Sequence, residues 1–185
     1  MEETTISYRQ AAPGDEHAVS ALAKHLEMQE GDDPSAARIH GFLLYAKPEE
    51  AYRQRFSISK YCSVAEQNGE IIGFLIAHDR EELEELGESL KYPRALKEYL
   101  FGLSYPHWVY IDQIAVHPGH QHHGIGQHLY DFAVGDESGS VLIAGATHDP
   151  VPNEASLHFF EKNGHTLLTE LREGEWLCGM YGREV

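Results

Sequence analysis

Cysteine, basic side chains and long apolar runs are all scarce in this sequence. Two of the 185 residues, Cys62 and Cys178, are cysteine, and their wide separation gives no disulfide framework, which indicates a reducing, cytoplasmic setting. Lys and Arg number 14 against 30 Asp and Glu, and the net charge of −16 argues against nucleic-acid binding, which depends on basic contacts to phosphates. The longest apolar stretch, around residues 71–77, is too short to span a bilayer, so no membrane insertion is expected.

The rest of the composition is typical of a globular chain. A length of 185 residues with 42% hydrophobic content predicts one domain over residues 1–185. Periodicity, turn residues and capping residues predict mixed strands and helices. The predicted strands cover residues 5–11, 60–66, 70–78, 109–117, 141–147, 166–171 and 176–181; the predicted helices cover 16–29, 35–57 with a break near Pro48, 124–134 and 153–163; and a loop is predicted at 136–140.

The most informative stretch, residues 110–133, has the sequence YIDQIAVHPGHQHHGIGQHLYDFA. It predicts a buried strand, a Pro-Gly turn, a loop and a helix that begins at paired glycines. Free backbone N–H groups and the helix dipole make such a helix start an anion site, which suits a phosphate or pyrophosphate. A P-loop is excluded because Ile125 and Gly126 stand where Lys and Ser or Thr are required, and a dinucleotide fingerprint is excluded because Leu129 replaces its last glycine.

Two short blocks carry a family resemblance. The first, Gln121-His122-His123-Gly124-Ile125-Gly126, resembles motif A, [RQ]-x-x-G-x-[GA], of the GNAT superfamily of N-acetyltransferases, and the preceding strand at 111–118 is similar to that family's fourth strand. The second, residues 152–165, is similar to motif B, N-x-x-[AS]-x-x-[LF]-Y-x-x-x-G-[FH]. The resemblance is clear over residues 60–172 and is closest to a small prokaryotic subgroup with Val-Tyr-Ile-Asp in the fourth strand.

The resemblance implies a fold, a co-substrate and a set of contacts. The fold is α+β, with a mixed, mostly antiparallel central sheet, helices on both faces, and splayed fourth and fifth strands. The co-substrate is acetyl-CoA, without a metal, and backbone groups of Ile114, Ala115 and Val116 hold its pantetheine arm and polarise the thioester. The other residues implied to contact it are Gln121, His122, His123, Gly124, Ile125, Gly126, Asn153, Ser156 and Phe159. Asn153 is also expected to cap the last helix, and Phe159, with Leu157, is also a candidate for the core.

Three side chains are candidates for proton transfer. Asp112 shares a strand face with Tyr110 and is predicted to be a general base acting through water, or the anchor of an ammonium group. Its alternative role is a solvent-exposed carboxylate or a cap partner. His148, which precedes Asn153 at the end of a strand, is either a base or a bystander, since the usual histidine pKa of about 6.5 suits proton acceptance near neutrality.

Phe160 departs from the family pattern. Motif B usually has a tyrosine there, which protonates the CoA thiolate, and phenylalanine has no proton to give. Three explanations stay open: the thiolate leaves unaided or through water, another side chain such as Tyr110 substitutes, or the protein binds CoA without catalysing transfer.

Four histidines, His117, His120, His122 and His123, lie within a stretch of seven residues at the glycine loop. Such a cluster can indicate a metal site, but the phosphate-loop interpretation is preferred here. His122 and His123 are then expected to offer ring N–H donors, so that CoA affinity rises modestly as the pH falls from about 7.5 to 6.

The sequence therefore predicts an N-acetyltransferase that moves an acetyl group from acetyl-CoA to a small-molecule amine or a peptide amine by direct transfer in a ternary complex. The alternative is a non-catalytic acyl-CoA-binding or sensor domain. The acidic surface can steer cationic amines. Because the third and fourth strands of the family are usually joined by few residues, the helical segment at about 80–106 is predicted to be an insertion: a lid, an acceptor-binding element or a homodimer contact, or else a solvated helix pair.

Overall fold

The computed structural model describes residues 5–135 and 137–185. Its strands are β1 (Ser7–Gln10), β2 (Ser63–Gln67), β3 (Glu70–Asp79), β4 (Trp108–Val116), β5 (Val141–Asp149), β6 (Thr166–Glu173) and β7 (Trp176–Glu184). Its α-helices are α1 (Glu16–Leu26), α2 (Pro34–His40), α3 (Glu49–Ile58), α4 (Arg80–Leu86), α5 (Arg94–Gly102), α6 (Ile125–Val134) and α7 (Glu154–Lys162), with short 3₁₀ turns at Gly87–Ser89 and Pro118–His120.

Most predicted elements are observed, but residues 41–47, which the sequence predicts to be helical, lie outside any helix, and Leu43 forms an isolated parallel bridge with Glu27. Asn68 and Gly69 join β2 to β3 with φ angles of 54° and 82°, the left-handed pair that a type I′ hairpin turn needs. Pro48 precedes the first residue of α3, so the predicted break lies between α2 and α3. Residues 80–106 contain α4 and α5, as expected of a helical segment. The predicted loop at 136–140 includes residue 136, which lies outside the described residues.

The described chain forms two compact units, and β4 contributes to both. The first unit comprises residues up to 28, Leu43–His78 and 112–135. In it, β1 pairs antiparallel with β2, and β2 with β3. Its core contains apolar side chains of α1, α3 and the strands, among them Val19, Leu22, Tyr52, Phe56, Val64, Phe74 and Ile76. Burying each such side chain contributes about 1.5–3 kcal/mol, so this core supports the elements that carry the glycine loop.

Gly73 of β3 determines how closely α6 approaches the strands of this unit. A Cβ atom at Gly73 would lie 3.1 Å from the carbonyl oxygen of Ala115 and 3.2–3.3 Å from the side chains of Leu129 and Ile125. These separations are tighter than ordinary contacts, so a larger residue would push the first turn of α6 away. The glycine therefore helps to place the start of α6 beside β4.

The second unit comprises residues 29–42, 79–111 and 137–185. In it, Trp108–Ile111 of β4 pairs in parallel with residues 141–144 of β5, while β5 with β7 and β6 with β7 pair antiparallel. Helix α4 begins with a capping box, in which the side chains of Asp79 and Glu82 each accept a hydrogen bond from the other's backbone N–H. The buried apolar side chains of the second unit include Leu83, Leu90, Leu100, Trp108, Ile143 and Phe160.

Among the described residues, seven strands follow the order β1-β2-β3-β4-β5-β7-β6, with β4 and β5 parallel and the other neighbours antiparallel. The predicted α+β fold with a mixed, mostly antiparallel sheet is confirmed. The parallel pairing ends at Ile111 and Ala144, although β4 continues to Val116 and β5 to Asp149. The splay of the two strands beyond that point stays a prediction, as do the single domain and the insertion. In the described part of the chain, no helix has the length and apolar character needed to cross a membrane.

Candidate active site

Two hydrogen bonds to backbone carbonyl oxygens hold the start of the loop after β4. The N–H of His117 donates to the carbonyl oxygen of Ile72 at 2.8 Å, which ties the end of β4 to β3. The side-chain amide of Gln121 reaches back and donates to the carbonyl oxygen of Val116 at 3.3 Å. The first unit thereby brings together two groups of predicted cofactor contacts, those at 114–116 and those at 121–126.

Two residues in the segment before α6, His122 and Gly124, have left-handed backbone conformations. Gly124, the N-cap of α6, has φ 77° and ψ 3°, and His122 has φ 65°. Gly124 has no side chain, and no side-chain cap bonds this helix start, whereas α2 and α7 are capped by Asp33 and Asn153. A helix start leaves N–H groups without intrahelical partners, and left-handed residues in a tight loop can direct such groups into an anion-binding concavity. The geometry therefore fits the pyrophosphate of CoA.

The loop histidines hydrogen-bond to the loop itself. Nδ1 of His117 accepts from the N–H of Gly119 at 3.1 Å, and Nδ1 of His123 lies 3.3 Å from the carbonyl oxygen of His120. His122 and His123 are both exposed, as their predicted role as donors to phosphate requires. Among the described residues, no group of three or more His, Cys, Asp or Glu side chains is arranged to hold a metal ion.

Ile125 lies at the first position of α6 and is buried, so its contribution to an anion site is its backbone N–H and not its side chain. Nδ1 of His128, one turn further on, lies 2.9 Å from the carbonyl oxygen of Gly124, and the His128 ring stacks on Tyr8 with 5.0 Å between centroids. These contacts hold the first turn of α6 against Tyr8 and the carbonyl oxygen of its own N-cap.

Asp112 lies in a buried ion-pair cluster in the first unit. Its side chain is 1% exposed, and its Oδ2 lies 3.1 Å from Nζ of Lys47 and 3.9 Å from Nε of Arg55, whose side chains are 5% and 2% exposed. The alternative role as a solvent-exposed carboxylate is therefore wrong. Burial lowers the pKa of Lys47, and the Asp112 carboxylate opposes that shift. The base and anchor roles of Asp112 stay predictions, although a carboxylate held by two buried cations is poorly placed to accept a proton.

A hydrogen-bond chain extends from this cluster to the segment before α3. The Tyr52 hydroxyl donates to Oε1 of Gln113 at 2.9 Å, and the Gln113 amide donates to the carbonyl oxygen of Tyr45 at 2.9 Å. The backbone N–H of Lys47 donates to the same Tyr52 hydroxyl at 3.3 Å. These residues thus attach the segment 45–47 to β4. Sequence reasoning missed them, because no local pattern links Lys47 to Asp112, 65 residues away.

His148 is held by two polar side chains in the second unit. Its Nδ1 lies 2.7 Å from Oε1 of Glu170, and its Nε2 lies 2.8 Å from the hydroxyl of Tyr181. The His148 side chain is 20% exposed and that of Glu170 is 46% exposed. Neither Glu170 nor Tyr181 is a residue that sequence reasoning singled out. The Glu–His pair resembles the orienting contact of many general bases, so His148 has the surroundings of a functional histidine.

Two features of the strands place this ring. The register of β5 against β7 shifts between Thr147 and Asp149, so His148 is the extra residue of the β5 strand at that point. Such bulges re-aim a side chain. On β7, a Cβ atom at Gly179 would lie 2.4 Å from Nε2 of His148 and 2.8 Å from the Tyr181 ring. The imidazole therefore occupies space that only glycine leaves free.

Tyr110 and Asn153 also lie in the second unit. Tyr110 is buried, and its ring meets that of Tyr92 edge-on with 5.7 Å between centroids. Asn153 is buried; its Oδ1 accepts from the N–H of Ser156 at 3.1 Å, and its Nδ2 donates to the carbonyl oxygen of Phe42 at 2.9 Å. The predicted N-cap role of Asn153 is confirmed, and its contact with the cofactor stays a prediction.

The rest of α7 shows what replaces the usual tyrosine. Phe160 is buried, with its ring 5.5 Å from that of Phe159 and 5.4 Å from that of His165, measured between centroids. Ser156, Leu157 and Phe159 are only partly buried, so Phe159 and Leu157 are not deep core residues. Ser156 and Phe159 remain predicted contacts of the cofactor.

Comparison with known proteins gives one family and one fold. The family model for the acetyltransferase (GNAT) family matches residues 26–165. The structure of Arabidopsis thaliana NAA60 in complex with acetyl-CoA has a TM-score of 0.67 and 14% identity, covering 98% of this chain and 100% of that one. Arabidopsis thaliana Naa50 in complex with the bisubstrate analogue CoA-Ac-MVNAL has a TM-score of 0.65 and 13% identity, covering 97% and 99%.

A third similar structure is Drosophila melanogaster polyamine N-acetyltransferase, an enzyme that catalyses the formation of N-acetylagmatine, with a TM-score of 0.64 and 17% identity, covering 98% of this chain and 100% of that one. At these identities the likeness shows the fold. No curated protein matches the sequence. The prokaryotic subgroup stays a prediction.

Proposed function

The chain belongs to the acetyltransferase (GNAT) family, and on that premise we propose that it transfers an acetyl group from acetyl-CoA to an amine by direct attack in a ternary complex. Direct transfer needs three things: a bound and oriented thioester, a neutral amine, and a path for the proton that the amine loses.

The observation that carries the proposal is the start of α6. Left-handed Gly124 at this helix start and the close approach of α6 to β3 and β4 at Gly73 support an anion site at the end of a strand. The residues that would hold CoA there are the backbone groups of 121–126, with 114–116 of β4 for the pantetheine arm. Bound acetyl-CoA supplies an activated acetyl group, and the chain's part is to hold and orient it.

His148 is the better supported of the predicted bases. Nδ1 faces a carboxylate that can stabilise the imidazolium, and the side chain is partly open to solvent. Asp112, in contrast, is buried between Lys47 and Arg55. We assign Asp112 to holding the segment 45–47 against β4, and Tyr110 to the packing around β4.

The acceptor that we propose is a primary amine, either on a small cationic molecule or on a peptide. The similar structures include an enzyme that forms N-acetylagmatine and a complex with a peptide-bearing bisubstrate analogue. The net charge of −16 and the carboxylates of Glu161 and Glu170 near Tyr181 and His148 favour the cationic small molecule, since an acidic surface concentrates cations.

Free-thiol release from acetyl-CoA tests the proposal. The protein is assayed against polyamines, other diamines, amino acids and peptides, and CoA binding is measured in parallel by calorimetry. We expect release with at least one amine class. CoA binding without release for any amine would instead support the non-catalytic acyl-CoA-binding alternative, with Phe160 as its explanation.

A glycine variant separates the cofactor site from the rest of the fold. Gly124→Val should raise the Kd for CoA by about tenfold or more, because a β-branched residue is strained at φ 77° and would crowd the pyrophosphate. Gly69→Val is the matched control, with a similar φ of 82° but in the hairpin turn between β2 and β3. Equal CoA affinity in both variants would argue against the helix start as the binding site.

A further inference from the structure

Three polar side chains from β5, β6 and β7 form a continuous chain in the second unit. Glu170 bonds His148 at 2.7 Å, and His148 bonds Tyr181 at 2.8 Å. Their exposure decreases in that order, because the Glu170 side chain is 46% exposed, that of His148 is 20% exposed, and Tyr181 as a residue is 6% exposed. A chain that runs from an exposed carboxylate to a buried phenol can carry protons between solvent and the interior.

The direction of each hydrogen bond follows from the chemistry of its partners. An ionised Glu170 can only accept, so Nδ1 of His148 carries the proton of that bond. In neutral imidazole, Nε2 is then the acceptor, and the Tyr181 hydroxyl donates to it. Both ring nitrogens are thereby engaged, while the phenol oxygen keeps lone pairs. A proton can therefore enter this chain at the Tyr181 oxygen while the phenol proton passes on to Nε2 of His148.

Burial, and after it the charges around Tyr181, favour the protonated form of its phenol. Burial is the largest cause that raises the pKa of its phenol, followed by the negative charges of Glu161 on α7 and Glu170 on β6. A neutral phenol that donates to an imidazole is a proton donor held ready. Phe160, where the family usually has its tyrosine, is a buried hydrocarbon and cannot fill that role.

We propose that Tyr181 is a catalytic residue of the acetyl transfer, which exchanges protons with the acceptor nitrogen and the leaving sulfur, and that His148 and Glu170 are positioning residues that act through it. The inference rests on the proposed function and assigns the proton path of that same reaction. It also gives a reason for the bulge at His148, which brings the imidazole to the phenol.

The proton path balances without any further reactant. The amine nitrogen forms a bond to the acetyl carbon as the carbonyl π pair moves to the acetyl oxygen, and the nitrogen's proton passes to the Tyr181 oxygen as the phenol proton passes to Nε2 of His148. The carbonyl then re-forms and the C–S bond breaks with its electron pair on sulfur; the phenol proton passes to the sulfur, and Nε2 returns its proton to the Tyr181 oxygen. One oxygen can serve both steps, because nitrogen and sulfur are bonded to the same carbon between them. The products are the amide and free CoA, and the three side chains end as they began.

Tyr181→Phe is the decisive variant, measured with an amine that wild type accepts. We expect kcat to fall by about 100-fold, in the range of general acid–base catalysis, with the Kd for CoA unchanged. Tyr61→Phe, which changes a buried tyrosine between α3 and β2 outside the chain of three, is the matched control and should keep wild-type kcat. Glu170→Gln should lower kcat by about tenfold with the KM for the amine unchanged, since the imidazole loses the carboxylate that orients it, and Glu170→Asp should restore part of that loss.

The outcomes separate the inference from the proposed function. A wild-type protein that releases no thiol with any amine overturns the proposed function itself. Active wild type together with a Tyr181→Phe variant of equal kcat and equal pH profile overturns only the role of Tyr181. If Tyr181→Phe does not fold, the kcat of Glu170→Gln decides, and a kcat equal to that of wild type overturns the role of the chain of three.

Discussion

Two charged clusters in this protein contain the residues that the sequence marks as possible bases, and they differ in what surrounds the charge. In the first unit, Asp112 is 1% exposed and lies between Lys47 and Arg55. In the second unit, His148 is 20% exposed and lies between a solvent-facing carboxylate and a buried phenol. A carboxylate buried between two cations is closed to an incoming amine, whereas a partly exposed imidazole can be reached from solvent. The first arrangement suits the fold and the second suits proton transfer.

The largest effect that we expect is on stability, from Asp112→Ala. Removing one partner of a buried ion pair leaves Lys47 uncompensated and should cost about 3–5 kcal/mol of unfolding free energy. Denaturant unfolding measures this. Glu98→Ala, which breaks the exposed pair with Arg94 on α5, is the control and should change nothing measurable. A stable Asp112→Ala variant that has lost turnover would reverse the comparison and restore Asp112 as the base.

Acid should lower the unfolding free energy through the buried side chain of His165, which belongs to neither cluster. Burial lowers the pKa of His165 to about 4, against about 6.5 in an unfolded chain. The unfolded state therefore binds the proton first, and stability falls as the pH decreases from 6.5 to 4, by about 3 kcal/mol for the full shift. Unfolding at a series of pH values measures the slope. His165→Gln should flatten it, while the exposed His158→Gln should leave it intact.

His148→Gln should separate the two clusters most clearly in activity. We expect turnover to fall by about 100-fold, with the unfolding free energy lowered by only about 1 kcal/mol, because the lost hydrogen bonds are partly exposed. Thiol release and denaturant unfolding on the same preparation give both numbers. Full turnover in this variant would make His148 a bystander and leave neither cluster with a base.

The smallest effect concerns the position of the imidazole. Gly179→Ala places a Cβ atom 2.4 Å from Nε2 of His148, so the ring must rotate away from Tyr181. Turnover should fall by about tenfold with little change in stability. Gly145→Ala on the neighbouring strand is the control, since its nearest atom would be Sδ of Met180 at 3.5 Å. Equal activity of the two alanine variants would show that the exact position of His148 does not matter.

The parts of this structure that sequence reasoning found are those with local signals. The hairpin at Asn68 and Gly69, the strand before the glycine loop and the helix after it each depend on residues adjacent in sequence, whose conformational preferences are known. Asn153 capped α7 as expected, for the same reason. The partners of Asp112 and His148 could not be found in this way. Lys47 meets Asp112 across 65 residues, and Glu170 and Tyr181 meet His148 only through strand register.

Register is the physical quantity that sequence patterns leave open. β6 and β7 shift against each other between Leu167 and Thr169, and β5 and β7 shift between Thr147 and Asp149. Each shift changes which side chains face one another, because alternate residues of a strand point to opposite faces. The sequence therefore predicted a histidine at the end of β5 but not the two residues that hydrogen-bond to it.

The bulge at His148 has a consequence for how such a protein can change over generations. Because His148 is one residue more than the pairing of β5 with β7 requires, losing a single codon there would restore a regular ladder and remove the imidazole together. Gaining one codon at the same place in an ancestor would create the bulge and add the imidazole. Strand order would stay the same in both cases. An insertion or deletion of one residue is thus a direct route between a protein with this imidazole and a protein of the same fold without it.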